Sequence, residues 1–230
     1  MPRRQRVYVP DVPTHVVQRG NNKQRVFLDN SDCAYYMSLL SEAIERYEVA
    51  LNAYVLMGNH VHFLMTPSTK IGISRVMQLM GKKYVYYFNQ KYERTGALWG
   101  GRHFASLIDS ELYLLNCYRY IELNPVRANI VGNPANYTWS SYHANALGKE
   151  IKCITPHEKY LALGKSQETR LNNYKALFTE GLSSEEIKKF TLFTKHNYPI
   201  GSDDFIARIS AKLGIKFGKL TPGAPKKLKK

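Results

Sequence analysis

Two histidines separated by one residue lie in an apolar segment of the chain, and their spacing suggests a metal site. His60 and His62 occur in Asn-His-Val-His-Phe-Leu-Met, residues 59–65. In a β-strand, residues two apart project from the same face, so both imidazoles would point together while Val61 and Phe63 point into a core. Paired imidazoles are the beginning of a site for a divalent metal ion. The alternative is a polar strand face that carries two histidines and no metal.

A tyrosine and an asparagine lie four residues apart in a second segment, which is expected to be helical. Asp109 or Ser110 can cap the start of this helix. Pro125 disfavours helical geometry in the residue before it, so the helix should end near Asn124. Tyr120 and Asn124 would then share one helix face. The phenol can act as a nucleophile and the amide oxygen can bind a metal, although a lone tyrosine says little in a chain that contains 17.

The two segments together resemble those of a known family. An apolar-His-apolar-His run followed by Tyr-Ile-x-x-Asn-Pro-Val-Arg-Ala, residues 120–128, is similar to the REP-associated tyrosine transposases, which belong to the HUH single-strand nucleases. Further matches are Arg-Gly-Asn-Asn at 19–22, Leu-Trp-Gly-Gly-Arg-His-Phe at 98–104 and Trp-Ser-Ser-Tyr at 139–142. The resemblance extends over about residues 5–145 and weakens over the last third of the chain.

The resemblance implies a single-strand DNA endonuclease and strand transferase that acts at hairpin-forming repeats. Tyr120 would form a 5′-phosphotyrosine link and release a 3′-hydroxyl. His60, His62 and Asn124 would hold a divalent metal ion, Mg²⁺ or Mn²⁺. Many HUH nucleases have a third histidine or a glutamine where this chain has Asn124, and the REP-associated members share the asparagine.

Contacts to single-stranded DNA are expected from cations along its backbone and from aromatic rings under its bases. Trp99 could stack on a base or could fill a hydrophobic core, and the sequence favours neither. Lys82 and Lys83 are better explained by a solvated helix face. The full set of candidate DNA contacts is Arg19, Asn21, Asn22, Lys82, Lys83, Trp99, Arg102, His103 and Arg127.

The charge balance indicates a polyanionic partner. The chain has 33 Lys and Arg against 18 Asp and Glu, a formal net charge of +15. No apolar run approaches the length of a membrane span and no signal peptide opens the sequence, so we expect a cytoplasmic protein that does not enter a membrane. The three cysteines are scattered and odd in number, which fits a reducing compartment.

The elements that would position these residues follow in the order β-α-β-β-α-β-α. Strands are expected at residues 14–19, 49–56, 60–66 and 104–108. One helix, capped by Asn30 or Ser31, follows the first strand; a second spans about residues 73–92, and the helix of Tyr120 comes last. This order predicts an α+β fold, a ferredoxin-like (split β-α-β) antiparallel sheet with helices on one face. The other face would be free to take a ligand.

Three parts are expected along the chain. Residues 1–150 would form the catalytic domain, residues 151–215 a small helical C-terminal domain, and residues 216–230 a disordered basic tail with six lysines and no acid. Short helices are expected at about 158–163, 168–178, 184–194 and 202–213. Ser184 and Ser202 are candidate N-caps, and Gly214 would end the last helix.

Two other functions fit part of this pattern. A non-catalytic nucleic-acid-binding protein could be built on the same sheet, although the paired aromatic residues typical of RNA-recognition strands are absent. A metal-dependent nuclease that uses activated water would not need Tyr120, and cleavage by a Tyr120→Phe variant would favour it. The sequence leaves open a monomer or a homodimer, in which Tyr120 of one subunit could serve the metal site of the other.

Overall fold

A four-stranded antiparallel sheet forms the centre of the fold. Its strands are β1 (Thr14–Arg19), β2 (Val49–Met57), β3 (His60–Pro67) and β4 (Phe104–Leu107), in the order β2-β3-β1-β4. This is the strand order of the ferredoxin-like fold, so the predicted fold class is confirmed. The computed structural model describes residues 4–218.

Helices surround this sheet. Within residues 4–218 the α-helices are α1 (Asn30–Arg46), α2 (Gly72–Lys91), α3 (Leu114–Glu122), α4 (Asn124–Arg127), α5 (Tyr142–Asn145), α6 (Glu158–Leu161), α7 (Gln167–Ala176), α8 (Ser184–Lys195) and α9 (Asp203–Leu213). Two 3-10 turns lie at Asn21–Lys23 and Pro134–Asn136. None of the helices in this part of the chain is long and apolar enough to cross a membrane.

Helices α1 and α2 cover one face of the sheet, as predicted. Val61 and Phe63 of β3 are fully buried beneath them, and burying a side chain of this size stabilises the fold by about 1.5–3 kcal/mol. Because strand side chains alternate, His60 and His62 project from the opposite face. The N-cap of α1 is Asp29, which forms a capping box, and not the predicted Asn30 or Ser31.

The opposite face of the sheet is only partly open, because helices bury the apolar side chains that it carries. Val55 and Leu64 are fully buried, and they pack with Cys117 and Ile121 of α3 in a second core. Helix α3 lies over β2 and β3, while α8 lies over β4 and β1. The expected free ligand face is therefore reduced to the space that these helices leave above β1 and β3.

A break at Leu123 separates α3 from α4. The chain forms turns at residues 110–113 and enters α3 only at Leu114, later than the predicted caps Asp109 and Ser110. The helix ends at Glu122, close to the predicted end. Pro125 then lies in the first turn of α4, where its missing N–H has no helical partner to lose.

The C-terminal helices pack onto the sheet rather than standing apart from it. Ile154 forms an isolated bridge with Leu51, and Ile200 forms one with Ile108. Helix α8 borders the open part of the sheet, whereas Phe205 and Ile209 of α9 pack with Val9 and Leu107. The domain boundary near residue 150 stays a prediction, and residues 219–230 of the predicted basic tail lie outside the described residues.

The predicted capping residues of the C-terminal helices are confirmed except for the N-cap of α8. The side chain of Ser202 caps α9, and Gly214 ends it in the left-handed region with φ 64°, as predicted. Helix α8 is capped by Ser183 instead of Ser184, because Ser183 forms a reciprocal capping box with Glu186.

Candidate active site

His60 and His62 lie side by side on β3, as their spacing required. Their ring centroids are 5.1 Å apart. His62 is buried and His60 is partly buried. Nδ1 of His60 donates a hydrogen bond of 2.6 Å to the side-chain oxygen of Asn59. A neutral imidazole carries one proton, so this bond leaves Nε2 of His60 as a lone-pair donor.

Asn124 brings its amide to the same two rings from the start of α4. Its Nδ2 lies 3.2 Å from Nε2 of His62. An amide nitrogen can only donate, so Nε2 of His62 is the acceptor. Asn124 therefore lies beside the two histidines, and its amide would have to turn over to present Oδ1 instead of Nδ2 to a metal.

A third histidine, missed by the sequence reasoning, completes the cluster. Val17 of β1 pairs with His62, and His15 lies two residues away on the same face of β1. Nε2 of His15 is 2.9 Å from Nδ1 of His62, and the two ring planes are nearly parallel, at 15°, with centroids 5.1 Å apart. Only the register between β1 and β3 shows that His15 belongs with the other two.

Tyr120 faces this histidine cluster from α3. Its ring centroid is 5.8 Å from that of His62 and 5.5 Å from that of His15. Phe190 of α8 stacks on the Tyr120 ring at 4.9 Å, and the Arg127 guanidinium lies over the ring at 4.3 Å. The tyrosine and the histidines therefore meet within a single chain.

The hydroxyl of Tyr120 is held by α8. It lies 3.1 Å from Oγ1 of Thr191, whose own proton is donated to the carbonyl oxygen of Ile187. Tyr120 therefore donates and Thr191 accepts. Sequence analysis found the helix but not this contact, because nothing local links residues 71 positions apart.

Burial sets the charge state of the histidines. It lowers the pKa of His60 to about 4, with the nearby Arg19 adding to the effect. Burial also lowers the pKa of His15 to about 3 and holds that of His62 well below its ordinary value. All three imidazoles are consequently neutral at pH 7, which is the form that binds metal ions.

The cluster forms the floor of a pocket of about 710 Å³. The 3-10 turn Asn21–Lys23 and residues 100–102 form one side, and α8 forms the other. On the first side the chain packs closely at Gly20, where an added Cβ would lie 2.3 Å from the carbonyl oxygen of Gln24. Positive side chains line the pocket, namely those of Arg19, Lys23, Arg102, Arg127 and Lys195.

The sequence profile of the family described as "Transposase IS200 like" matches residues 8–124, which is just over half of the chain and includes β1 to β4, Tyr120 and Asn124. The chain belongs to the IS200-like transposase family. Its members are transposases, which are DNA-processing enzymes. No curated protein sequence matches this transposase significantly.

Solved structures resemble the transposase in fold. A REP-associated tyrosine transposase bound to a REP hairpin superposes with a TM-score of 0.55 at 15% identity, over 68% of this chain and 99% of that one. A putative transposase from Deinococcus radiodurans has a TM-score of 0.37 at 17% identity, over 56% of this chain and 92% of that one.

The candidate DNA contacts divide into three groups. Five of them line the pocket of the transposase: Arg19, Asn21, Asn22, Arg102 and Arg127. Lys82 and Lys83 lie on the outer side of α2, where Lys83 forms an ion pair of 2.7 Å with Glu42. These two lysines therefore lie on a solvated helix face, as the sequence suggested.

Trp99 and His103 are buried beside the pocket and do not line it. Trp99 is 8% exposed, and its ring lies 6.2 Å from both Tyr36 and Tyr84 in the core under α1 and α2. This is the core-filling alternative for Trp99 and not the stacking one. His103 is 5% exposed and lies within hydrogen-bonding distance of Tyr8, at 2.6 Å.

The donor atoms of the transposase fit a divalent metal ion. His60 and His62 offer two neutral imidazoles, and the oxygen of Asn124 would join them if its amide turned over, because its Nδ2 lies 3.2 Å from Nε2 of His62. Across residues 4–218, no group of three or more His, Cys, Asp or Glu side chains could hold a metal. Such a site would therefore depend on Asn124 and would leave positions open for substrate oxygens.

Proposed function

We propose that this IS200-like transposase is a metal-dependent single-strand DNA endonuclease and strand transferase, with Tyr120 as its nucleophile. The observation that carries the proposal is that Tyr120 and the His60–His62 pair line one pocket of one chain. A nucleophile, neutral metal ligands and cations for phosphate are then within reach of a single bound strand. The same arrangement supports an active site that is complete in a monomer.

The reaction would exchange one ester bond for another. The phenolic oxygen of Tyr120 attacks the scissile phosphorus and forms a 5′-phosphotyrosine, while the bond from phosphorus to the 3′ oxygen breaks. One proton leaves the phenol and one proton completes the released 3′-hydroxyl, so atoms and charge balance. Attack by the 3′-hydroxyl of a second strand on the phosphotyrosine reverses these changes and transfers the strand.

The protein groups around Tyr120 serve this step. Arg127 places a positive charge 4.3 Å from the ring on which negative charge develops. Phe190 and Thr191 fix the ring and the hydroxyl direction. Mg²⁺ or Mn²⁺ bound by His60, His62 and Asn124 would polarise the scissile phosphate and offset the charge that forms there.

The substrate we propose is a DNA hairpin with a single-stranded flank. The fold of this transposase is similar to that of the REP-associated protein whose structure contains a REP hairpin. Arg19, Lys23 and Arg102 line the pocket, where a flanking strand would pass on its way to Tyr120. Cations along a groove hold single strands through their phosphates.

Labelled hairpin oligonucleotides from the repeats of the source genome test the proposal. With Mn²⁺ or Mg²⁺ we expect cleavage and an adduct that survives SDS, and with EDTA neither. His60→Ala and His62→Ala should abolish cleavage and leave DNA affinity within about threefold, because affinity rests on the cations.

The other outcomes separate the alternatives. Full cleavage in metal-free buffer would contradict the metal site. Cleavage without any adduct would favour a nuclease that uses activated water. Tight hairpin binding with no cleavage in either metal would favour a non-catalytic DNA-binding protein.

A further inference from the structure

A line of three hydrogen bonds connects the candidate metal site to α8. Nδ2 of Asn124 lies 3.2 Å from Nε2 of His62, and Nδ1 of His62 lies 2.9 Å from Nε2 of His15. Nδ1 of His15 lies 2.9 Å from Oγ1 of Thr194. His15 is fully buried, and Thr194 is 3% exposed. Water has little access to this line, so each group depends on its neighbour for a hydrogen bond.

With Nδ2 of Asn124 towards Nε2 of His62, the three hydrogen bonds all run in one direction. The Asn124 amide nitrogen donates to Nε2 of His62, so the single proton of that neutral ring is on Nδ1. Nδ1 of His62 then donates to Nε2 of His15, which places the proton of His15 on its own Nδ1. That proton is donated to Thr194. Every ring nitrogen in the line has one defined role.

We propose that His15 is a positioning residue, which together with Thr194 holds His62 in the tautomer that presents an unprotonated Nε2 to a divalent metal ion. The inference rests on the proposed metal site at His60, His62 and Asn124. A metal-binding histidine commonly donates its second N–H to a carboxylate or carbonyl oxygen. For His60 the acceptor is Asn59, and for His62 it is a second imidazole.

His15 can accept from His62 only while its own proton is on Nδ1, and Thr194 is the acceptor for that proton. Were the line reversed, Thr194 would donate to Nδ1 of His15 and His15 would donate to Nδ1 of His62. The proton of His62 would then be on Nε2, and the ring could not bind a metal through that atom. The two directions therefore correspond to a metal-binding and a non-binding site.

The inference makes α8 a component of the active site. Thr194 lies 70 residues beyond the end of the family match at residue 124. The proposed nucleophile and metal ligands all fall within that match, whereas Thr194, which completes the hydrogen bonds of His15, does not. Metal affinity should thus depend on the C-terminal part of the chain even though it supplies no ligand.

The tautomers can be read directly in the metal-free protein. Long-range ¹H–¹⁵N spectra of protein labelled at histidine distinguish protonated from unprotonated ring nitrogens. At pH 7.5 in EDTA we expect His15 and His62 both to be protonated on Nδ1, with signals assigned through the His15→Gln and His62→Gln variants. A proton on Nε2 of His62 would overturn the proposal.

Metal affinity gives the second readout, with Mn²⁺ alone as the probe in calorimetry. Glutamine at position 15 can accept from His62 through its oxygen and donate to Thr194 through its nitrogen, whereas leucine can do neither. We expect His15→Leu to bind Mn²⁺ about tenfold to hundredfold more weakly than wild type, the usual range for loss of such a partner. His15→Gln should stay within about threefold.

A second pair of variants, at Thr194, tests the proposal even if His15→Leu does not fold. Thr194→Val removes the acceptor and keeps the shape, while Thr194→Ser keeps the acceptor. The valine variant should weaken Mn²⁺ binding and allow both His62 tautomers to appear, and the serine variant should do neither. Equal Mn²⁺ affinity in wild type, His15→Leu and Thr194→Val, all folded by circular dichroism, would contradict the proposal.

Failure of the underlying metal site gives a different result. Wild type would then bind no Mn²⁺, which removes the metal from the proposed function. The spectra would still decide the positioning role, because a Nδ1-protonated His62 that becomes mixed in Thr194→Val supports it. A His62 tautomer that is unchanged in Thr194→Val would refute it.

Discussion

Arg127 lies over the ring of Tyr120, with its guanidinium carbon 4.3 Å from the ring centroid, and donates a hydrogen bond of 2.8 Å to the carbonyl oxygen of Tyr120. The second contact crosses the break between α3 and α4 and ties the two helices together. Arg127 was expected to contact DNA. This position places a cation beside the proposed nucleophile, where the phenolic oxygen would gain negative charge.

Replacing Arg127 should therefore slow cleavage more than it weakens binding. We expect Arg127→Met to lower the single-turnover cleavage rate about tenfold to hundredfold, about 1.4–2.7 kcal/mol in the barrier. Arg127→Lys keeps the charge but loses the planar hydrogen bonding, so its cleavage rate should lie between those of wild type and Arg127→Met. Gel shifts measure the DNA affinity of the same variants. A loss of DNA affinity with an unchanged cleavage rate would show that Arg127 is a DNA contact instead.

The burial of Trp99 leads to a test that separates core packing from base stacking. Trp99→Phe should lower the free energy of unfolding by about 1–3 kcal/mol, because it leaves space beside Tyr36 and Tyr84. Its affinity for single-stranded DNA should not change. Arg102→Gln is the matched comparison at the pocket, and it should reduce the salt slope of binding by roughly 0.7. A clear loss of DNA affinity in folded Trp99→Phe would show that the indole stacks on a base.

Glu122 is a buried carboxyl group, whose pKa burial raises to about 7, and it anchors α3 to the C-terminal part of the chain. It accepts hydrogen bonds from Ser141 at 2.6 Å, from Asn145 at 2.8 Å and from Tyr174 at 2.7 Å. Glu122→Gln turns one acceptor oxygen into a donor and should cost about 1–3 kcal/mol in urea unfolding. Tyr174→Phe removes a single donor and should cost less. An unchanged urea midpoint for Glu122→Gln would mean that this network does not stabilise the fold.

Acid should destabilise the protein in part through His15. Burial lowers its pKa to about 3 in the folded state, against an ordinary 6.5. Between these values the unfolded chain binds the proton and the folded chain does not, so the free energy of unfolding falls as pH falls. The slope for one such group approaches about 1.4 kcal/mol per pH unit.

His15→Gln removes this titration and keeps the hydrogen bonds. Its stability in EDTA should decline less than that of wild type between pH 6.5 and pH 4, as measured by urea unfolding at several pH values. Parallel curves for the two proteins over that range would show that His15 is not buried as a neutral ring.

The sequence predicted those parts of the site that depend on local period. The shared face of His60 and His62 follows from strand alternation, and the separation of Tyr120 from Asn124 follows from helical spacing. The break at Leu123 does not undo this, because α4 begins at once and keeps Asn124 beside α3. The order of the elements predicted the fold class, and the structure supplied the strand order.

The parts that were missed depend on contacts between distant residues. His15 joins the site only through the register of β1 against β3, which alternation alone does not give. Thr191 and Thr194 were expected in a short helix, but nothing in the local pattern indicates which face of that helix meets Tyr120. Trp99 was undecided because a Gly-rich loop gives no burial signal.

The central claim is that Tyr120 is the nucleophile, and mapping of the covalent adduct tests it most directly. Wild type incubated with Mn²⁺ and a labelled hairpin should give a protein–DNA adduct, and mass spectrometry of its peptides should place the nucleotide on Tyr120. Tyr120→Phe should bind the hairpin and form no adduct. Tyr118→Phe, the same change on the same helix at a ring buried beside Tyr160 and Tyr174, should form it normally. An adduct mapped to Tyr113 or Tyr118, or one that persists in Tyr120→Phe, would contradict the account.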